Sequence, residues 1–139
     1  MAGRITYRGA VYPWQLDHIG HMNVMWYVGK FDEATWNLFA DLGITAAYLR
    51  EGYGMAAVQQ NITYRRELMP GEVVTVTSRV LEAHEKRIRF VHEMREGASG
   101  ELAAVCELTA VHMDRTVRKS CPFPEAIRKA VEAAVEAAE

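Results

Sequence analysis

The sequence predicts an α+β fold: a long central helix packed against an antiparallel sheet of about five strands, with a second helix at the C-terminus. Three observations carry this. Between residues 24 and 42, Val24, Tyr27, Val28, Phe31, Ala34, Thr35, Leu38, Phe39 and Leu42 recur at helical spacing, with Lys30, Asp32, Glu33, Asn37 and Asp41 on the other side. Residues 72–113 then hold strand-like runs joined by connections short enough for antiparallel hairpins. The tail PEAIRKAVEAAVEAAE finally returns to helical spacing.

Residues 4–16, RITYRGAVYPWQL, read as the first strand. Pro13 cannot donate to a ladder, so this strand belongs at an edge, or is bulged or ending near that point. The long helix has readable ends, with Asn23 as N-cap and Gly43 as the residue after the last turn that takes positive φ. Residues 44–54 read as a short helical turn or connector. Residues 55–68 read as a long strand, polar in its middle at Gln59-Gln60-Asn61, and Pro70-Gly71 breaks the chain as a turn. Strands at 72–83 and 87–95 alternate cleanly, and the strand at 102–113 is apolar on nearly both faces and therefore central. In the tail, Ile127, Ala130, Val131, Ala134 and Val135 form a face that must dock on something. With no repeat and no linker in 139 residues, a single domain over 1–139 is expected.

Composition bounds the function. Sixteen Lys and Arg against 18 Asp and Glu leave a formal charge of −2, which gives no bulk attraction to nucleic acid or to an anionic membrane. Two cysteines, Cys106 in an apolar run and Cys121 beside Pro122, are too few for a disulfide framework and read as free thiols. Arg4 and Arg8 stand where a signal peptide needs an apolar core, so a cytoplasmic location is expected.

The chemistry gathers at Asp17-His18-Ile19-Gly20-His21-Met22-Asn23, which places one carboxylate and two imidazoles at the mouth of the long helix. A helix N-terminus offers unpaired amides and the positive end of the macrodipole. Donors and a carboxylate therefore converge there. The bland alternatives are a turn aspartate, a histidine in a capping loop and a core tyrosine at Tyr27. His18-x-x-His21 with Asp17 has the short spacing of a chelate, but no further Cys or His has ligand spacing; neither a metal nor another cofactor is expected. His84, His92 and His112 are scattered along strands and read as structural.

The run DHIGHMNVMWYVGKFDEATW, residues 17–36, resembles the hotdog-fold acyl-CoA thioesterases of the 4-hydroxybenzoyl-CoA thioesterase-like group. Asp17, Gly20, His21, Asn23, Tyr27 and Glu33-Ala34 carry the resemblance, and Ile62-Thr63-Tyr64, the Pro70-Gly71-Glu72 turn and the exit Arg118 to Pro124 fall in the family's order. Gln15 and Val24 depart from it, standing where many relatives have a second acid and a second asparagine. The resemblance implies a thioester hydrolase acting on acyl-CoA, with Asp17 as nucleophile or general base and the Val24 backbone N–H polarising the carbonyl. It further implies Gly20, His21, Asn23 and Tyr27 around the substrate, while Gln60 and Asn61 in the polar run of the second strand either face the site of a neighbouring subunit or sit on a solvent face. Arg118 and Lys119, with Arg87 in a second cluster, are the basic groups placed to receive CoA phosphates, the alternative being solvated surface charges. A homodimer or homotetramer would be the working form.

Two other functions compete. A hydratase or dehydratase of acyl thioesters on the same fold pairs an Asp with a His five residues on, whereas Asp17 and His21 are four apart. A non-catalytic acyl-CoA-binding domain would keep the pocket without turnover.

Overall fold

The computed structural model describes residues 3–138. Its elements run β1 (Arg4–Ala10), a 3-10 turn (Pro13–Gln15), α1 (Val24–Asp41), α2 (Ala46–Arg50), β2 (Tyr53–Tyr64), β3 (Val73–Ala83), β4 (Arg87–Glu96), β5 (Leu102–Asp114), β6 (Lys119–Ser120) and α3 (Glu125–Ala138). The described strands form an antiparallel sheet in the order β1-β3-β4-β5-β2, with β6 paired to the end of β5. With the long helix against the sheet, this is the hotdog arrangement.

The strand expected over 4–16 is shorter. Its ladder with β3 stops at Ala10, and Pro13 opens the 3-10 turn. A fixed φ and a missing N–H suit the first position of a helical turn and not a ladder. β1 is an edge strand, and its register shifts between Ile5 and Tyr7. β2 ends at Tyr64 rather than Leu68, because the amides of Arg65 and Arg66 both turn to the Ala103 carbonyl. β5 lies between β4 and β2, the central place its two apolar faces require. Two-residue β6 carries no period in the sequence and escapes it.

Asn23 caps α1, its side chain accepting from the Met25 amide at 3.0 Å, and Gly43 takes φ 99 just past the helix end. Phe31, Ala34 and Leu38 are fully buried against inward-facing Val74, Val76, Ile88, Phe90 and Met94. Phe39 meets the Phe90 ring edge to face at 5.6 Å. Each such side chain contributes roughly 1.5–3 kcal/mol by leaving water. Val24 and Val28, expected on this stripe, are exposed instead. The terminal helix docks against β3, burying Ile127, Val131 and Ala134.

Lys30 corrects the sequence reading most sharply. Expected on the polar side of α1, it is 2% exposed. Its position lies one turn from both Tyr27 and Ala34, at the rim of a stripe wide enough to include it. Its ammonium donates to the Tyr7 hydroxyl and the Ala10 carbonyl, each at 3.2 Å, and stands 5.5 Å from the Tyr7 ring centroid. Burial holds the Lys30 pKa below its usual value.

Two buried histidines organise the interior, consistent with a structural reading. The Thr35 hydroxyl donates to the Phe31 carbonyl at 3.0 Å, so it must accept from His92 Nε2 at 2.8 Å. His92 Nδ1 is then the acceptor for Ser78 Oγ at 2.5 Å, and Ser78 Oγ in turn accepts from Thr6 Oγ1 at 2.7 Å. One directed chain of donors thus joins β1, β3, β4 and α1. Burial lowers the His92 pKa from 6.5 to about 4, keeping the ring neutral. His112 likewise bonds the Tyr48 hydroxyl at 2.7 Å and the Cys121 carbonyl at 2.9 Å, tying α2 and the segment after β6 to β5. Cys106 and Cys121 are free thiols.

Candidate active site

The loop before α1 is a tight reversal. Leu16 and Met22 bridge antiparallel, the Asp17 amide donates to the His21 carbonyl at 2.9 Å, and the Gly20 amide returns to the Asp17 carbonyl at 3.2 Å. Gly20 has φ 105, which a side chain would resist. Buried Gln15 holds the base of this loop: its side chain accepts from the Tyr12 amide at 3.1 Å and its carbonyl from the Asn23 amide at 2.9 Å. The residue that departs from the family's second acid is therefore a brace between the 3-10 turn and the helix start.

Within the loop, one oxygen of Asp17 accepts from the amides of Ile19 at 2.8 Å and Gly20 at 3.1 Å. The Ile19 amide foremost, then that of Gly20 and the nearby His21, hold this carboxyl below its usual range against the opposing effect of desolvation. Asp17 is thus ionised at neutral pH, and its second oxygen accepts no hydrogen bond among the described residues. That oxygen lies 3.8 Å from His21 Nδ1, and His21 Nε2 lies 3.3 Å from a carboxyl oxygen of Glu67.

At the helix start, the Met25 amide is taken by the Asn23 side chain and the Trp26 amide by the Asn23 carbonyl. The Val24 amide has no hydrogen-bond partner among the described residues. It is the first-turn donor left open, and Val24 and Asp17 line the same cleft of about 300 Å³. His21 and Tyr27 line it too. Four residues singled out from the sequence are therefore brought together. Asn23 serves as the cap and Gly20 as the turn.

Tyr27 presents its ring rather than its hydroxyl, which donates to the Arg66 carbonyl at 3.0 Å. Burial, with a smaller effect of Tyr64, pushes its phenol up to about 12, so it stays protonated. Tyr64 meets it edge to face at 5.1 Å.

The other sequence candidates lie elsewhere. Gln60 and Asn61 sit on edge strand β2, and Asn61 lines a separate polar hollow of about 200 Å³ with Gln59, Arg89, Glu107 and Thr109. Lys119 pairs with Asp114, Arg118 occupies the β5–β6 turn and Arg87 pairs with Val111, all toward the far end of β5. The cleft belongs to the near end, where Arg65 and Arg66 bond Ala103. Eleven residues of strand at ~3.3 Å each separate the two ends by roughly 35 Å.

Arg65, Arg66 and Glu67 line the cleft without being singled out in the sequence, and so does Tyr64, which the sequence ties to the resemblance but not to the site. The signal is the run Tyr-Arg-Arg-Glu at a strand end, whose meaning depends on the Met22 amide reaching the Leu68 carbonyl at 2.8 Å. Arg66 is neutralised by Glu72 at 2.8 Å and Glu101 at 3.0 Å. His18 is exposed near the loop tip, and no group of three or more metal-ligating side chains converges among the described residues.

Comparison with known proteins places this geometry. Residues 11–131 match the family model described as the thioesterase-like superfamily. A bifunctional L-carnitine dehydrogenase/betainyl-CoA thioesterase of Rhizobium meliloti is 30% identical over 109 residues, 78% of this chain and 22% of that protein. This chain thus spans about a fifth of the length of that relative. A betainyl-CoA thioesterase of Pseudomonas aeruginosa is 27% identical over 133 residues, covering 95% of this chain and 84% of its own. Among solved structures, a hypothetical protein from Staphylococcus aureus in complex with CoA superposes with a TM-score of 0.89 at 22% identity, covering 98% of this chain and 87% of that one.

Proposed function

The chain belongs to the thioesterase-like superfamily, and from that membership we propose that it hydrolyses an acyl-CoA thioester to the free acid and CoA at the Asp17 cleft. The observation that carries the proposal is the pairing of an ionised carboxylate, one oxygen held and one open, with an unpartnered helix-start amide in one cleft. The thioester carbonyl oxygen binds at the Val24 amide, where the dipole of α1 favours the negative charge that develops on it. The Asp17 carboxylate then faces the acyl carbon, either to attack it or to take a proton from water. The apolar rings of Tyr27 and Tyr64 wall the acyl side, with Gly20, His21 and Asn23 shaping the loop that faces it.

Arg65 and Arg66 are the basic residues beside the cleft. Arg118, Lys119 and Arg87 would meet CoA phosphates only through a second copy of the chain. A homodimer or homotetramer would supply that copy, and the outer edge of β2, which carries no strand partner among the described residues, is where it would add. Gln60 and Asn61 would then lie at the subunit boundary. We take residues 1–139 as one cytoplasmic thioesterase domain on this reading.

Thiol release from a panel of acyl-CoAs tests the proposal, with betainyl-CoA first because three relatives carry that name, followed by short, branched and aromatic acyl groups. Asn at position 17 keeps an oxygen for the Ile19 and Gly20 amides, so Asp17→Asn should fold normally and lose activity by on the order of 10²-fold or more. Unchanged thiol release in Asp17→Asn would defeat the assignment. Hydration of crotonyl-CoA without thiol release would favour the hydratase reading instead.

A further inference from the structure

His21 is held between two carboxylates, Asp17 at 3.8 Å from Nδ1 and Glu67 at 3.3 Å from Nε2. Glu67 is 71% exposed at its side chain, yet its backbone is pinned on both sides. The preceding carbonyl accepts from the Tyr27 hydroxyl at 3.0 Å, and the following one, on fully buried Leu68, accepts from the Met22 amide at 2.8 Å. Glu67, the third residue after β2, is therefore presented to the loop before α1 by two separate bonds. Hydrogen-bonding distances in unliganded sites tighten when substrate binds, so 3.3 Å is within reach of a working contact.

We propose that, in place of attack or proton abstraction by Asp17 itself, His21 takes the proton from the attacking water while Asp17 positions that water. Glu67 is the positioning residue that sets the His21 tautomer, a refinement that rests on the hydrolase reading of the same cleft. In this structure the 3.3 Å contact is an ion-pair distance without hydrogen-bond alignment. As substrate closes the site the Nε2 proton turns to Glu67, and Nδ1 then carries the bare lone pair facing the open oxygen of Asp17. Two acceptors 3.8 Å apart repel unless a double donor lies between them. Water is such a donor. Placed at about 2.8 Å from each acceptor, it subtends an angle of about 85°, roughly 20° tighter than that between its own two hydrogens, so each bond bends by about 10° from linear and the lone pairs turn outward to the acyl carbon.

The step balances. Water oxygen bonds to the acyl carbon as one of its protons passes to His21 Nδ1, and the carbonyl becomes an oxyanion on the Val24 amide. Collapse breaks the carbon–sulfur bond, the Nδ1 proton goes to the thiolate, and the free acid and CoA thiol leave. Asp17 holds the second hydrogen throughout, and the Glu67 charge stabilises the imidazolium formed on the way.

The test uses the intact chain and whichever acyl-CoA it turns over. His21→Gln should lower kcat about 10²-fold and Glu67→Ala about tenfold, with KM and the urea midpoint unchanged. The double variant should be no slower than His21→Gln, because Glu67 acts only through His21. Glu67→Gln keeps an oxygen for the Nε2–H and should recover part of the loss seen with Glu67→Ala. A single turnover in 18O water should put the label in the released acid. Label in Asp17, additive losses in the double variant, or normal kcat in Glu67→Ala would each overturn the inference while leaving hydrolysis standing. No thiol release by the unmodified chain from any acyl-CoA would instead remove the hydrolase reading beneath it.

Discussion

Acidification should unfold this protein through one imidazole before it does so through its carboxylates. His92 is fully buried, and its proton affinity falls from a pKa of 6.5 to about 4 on folding. The unfolded chain therefore binds a proton as pH drops through 6.5, while the native chain refuses it until about 4. The stability involved is complete above pH 6.5 and declines toward pH 4. At ~1.36 kcal/mol per tenfold difference in affinity, the whole window is worth about 3 kcal/mol, of which about 2 kcal/mol is gone at pH 5. With a urea slope of roughly 2 kcal/mol per molar, the midpoint should fall by about 1 M between pH 8 and pH 5. Asp17, Glu72, Glu82 and Glu96 also have lowered pKa values, but their contributions are lost as pH falls through those lower values, which leaves the upper part of the window to His92. Urea titrations at several pH values should be run on the unmodified chain and on His92→Gln, whose amide does not titrate. The imidazole should also be followed directly by NMR. A variant midpoint that falls as steeply as that of the unmodified chain, or a ring titrating near 6.5, would refute the reasoning.

Removing the cap with Asn23→Ala should lower stability by about 1 kcal/mol, and Asn23→Ser should restore most of it, as read from urea midpoints. Arg118 is the residue other than glycine at positive φ among those described, at 58, so Arg118→Gly should stabilise by about 1 kcal/mol in the same assay if the turn is as described. An unchanged or lower midpoint would show that the guanidinium contributes more than the backbone strain removes.

The fold was legible wherever a period met a boundary residue. Asn23 and Gly43 framed a helix whose apolar stripe runs from Tyr27 to Leu42, and Val74, Val76, Ser78 and Val80 alternated into the core as read. The misreadings share a physical cause, which is that a side chain's surroundings depend on a neighbour remote in sequence. Lys30 is buried because β1 crosses that face of α1, and its alkyl stem packs inside while two oxygens receive its ammonium. In the candidate site, Asp17, His21, Val24 and Tyr27 were legible because they are close in sequence. Glu67 and Arg65 were not, because they approach the loop through tertiary bonds, from Met22 to Leu68 and from Tyr27 to Arg66, that join segments about 40 residues apart. Arg118 and Lys119 form a basic pair at a strand end, and which end adjoins the cleft depends on the pairing of β5 with β2, which no local pattern encodes.

A pattern that repeats every second residue looks the same after a slip of two, so valines alone cannot tell β3 where along β4 to stop. The hydroxyl and imidazole relay from Thr6 through Ser78 and His92 to Thr35 has no such repeat. Displace any of its four elements by one step and the relay is severed where all four residues are buried from bulk solvent. Its last link is on α1, eleven residues or about 16 Å of rigid helix from Val24. The relay therefore works as an index pin: by fixing how far the rod slides across the sheet, it fixes where the open amide at the rod's tip arrives.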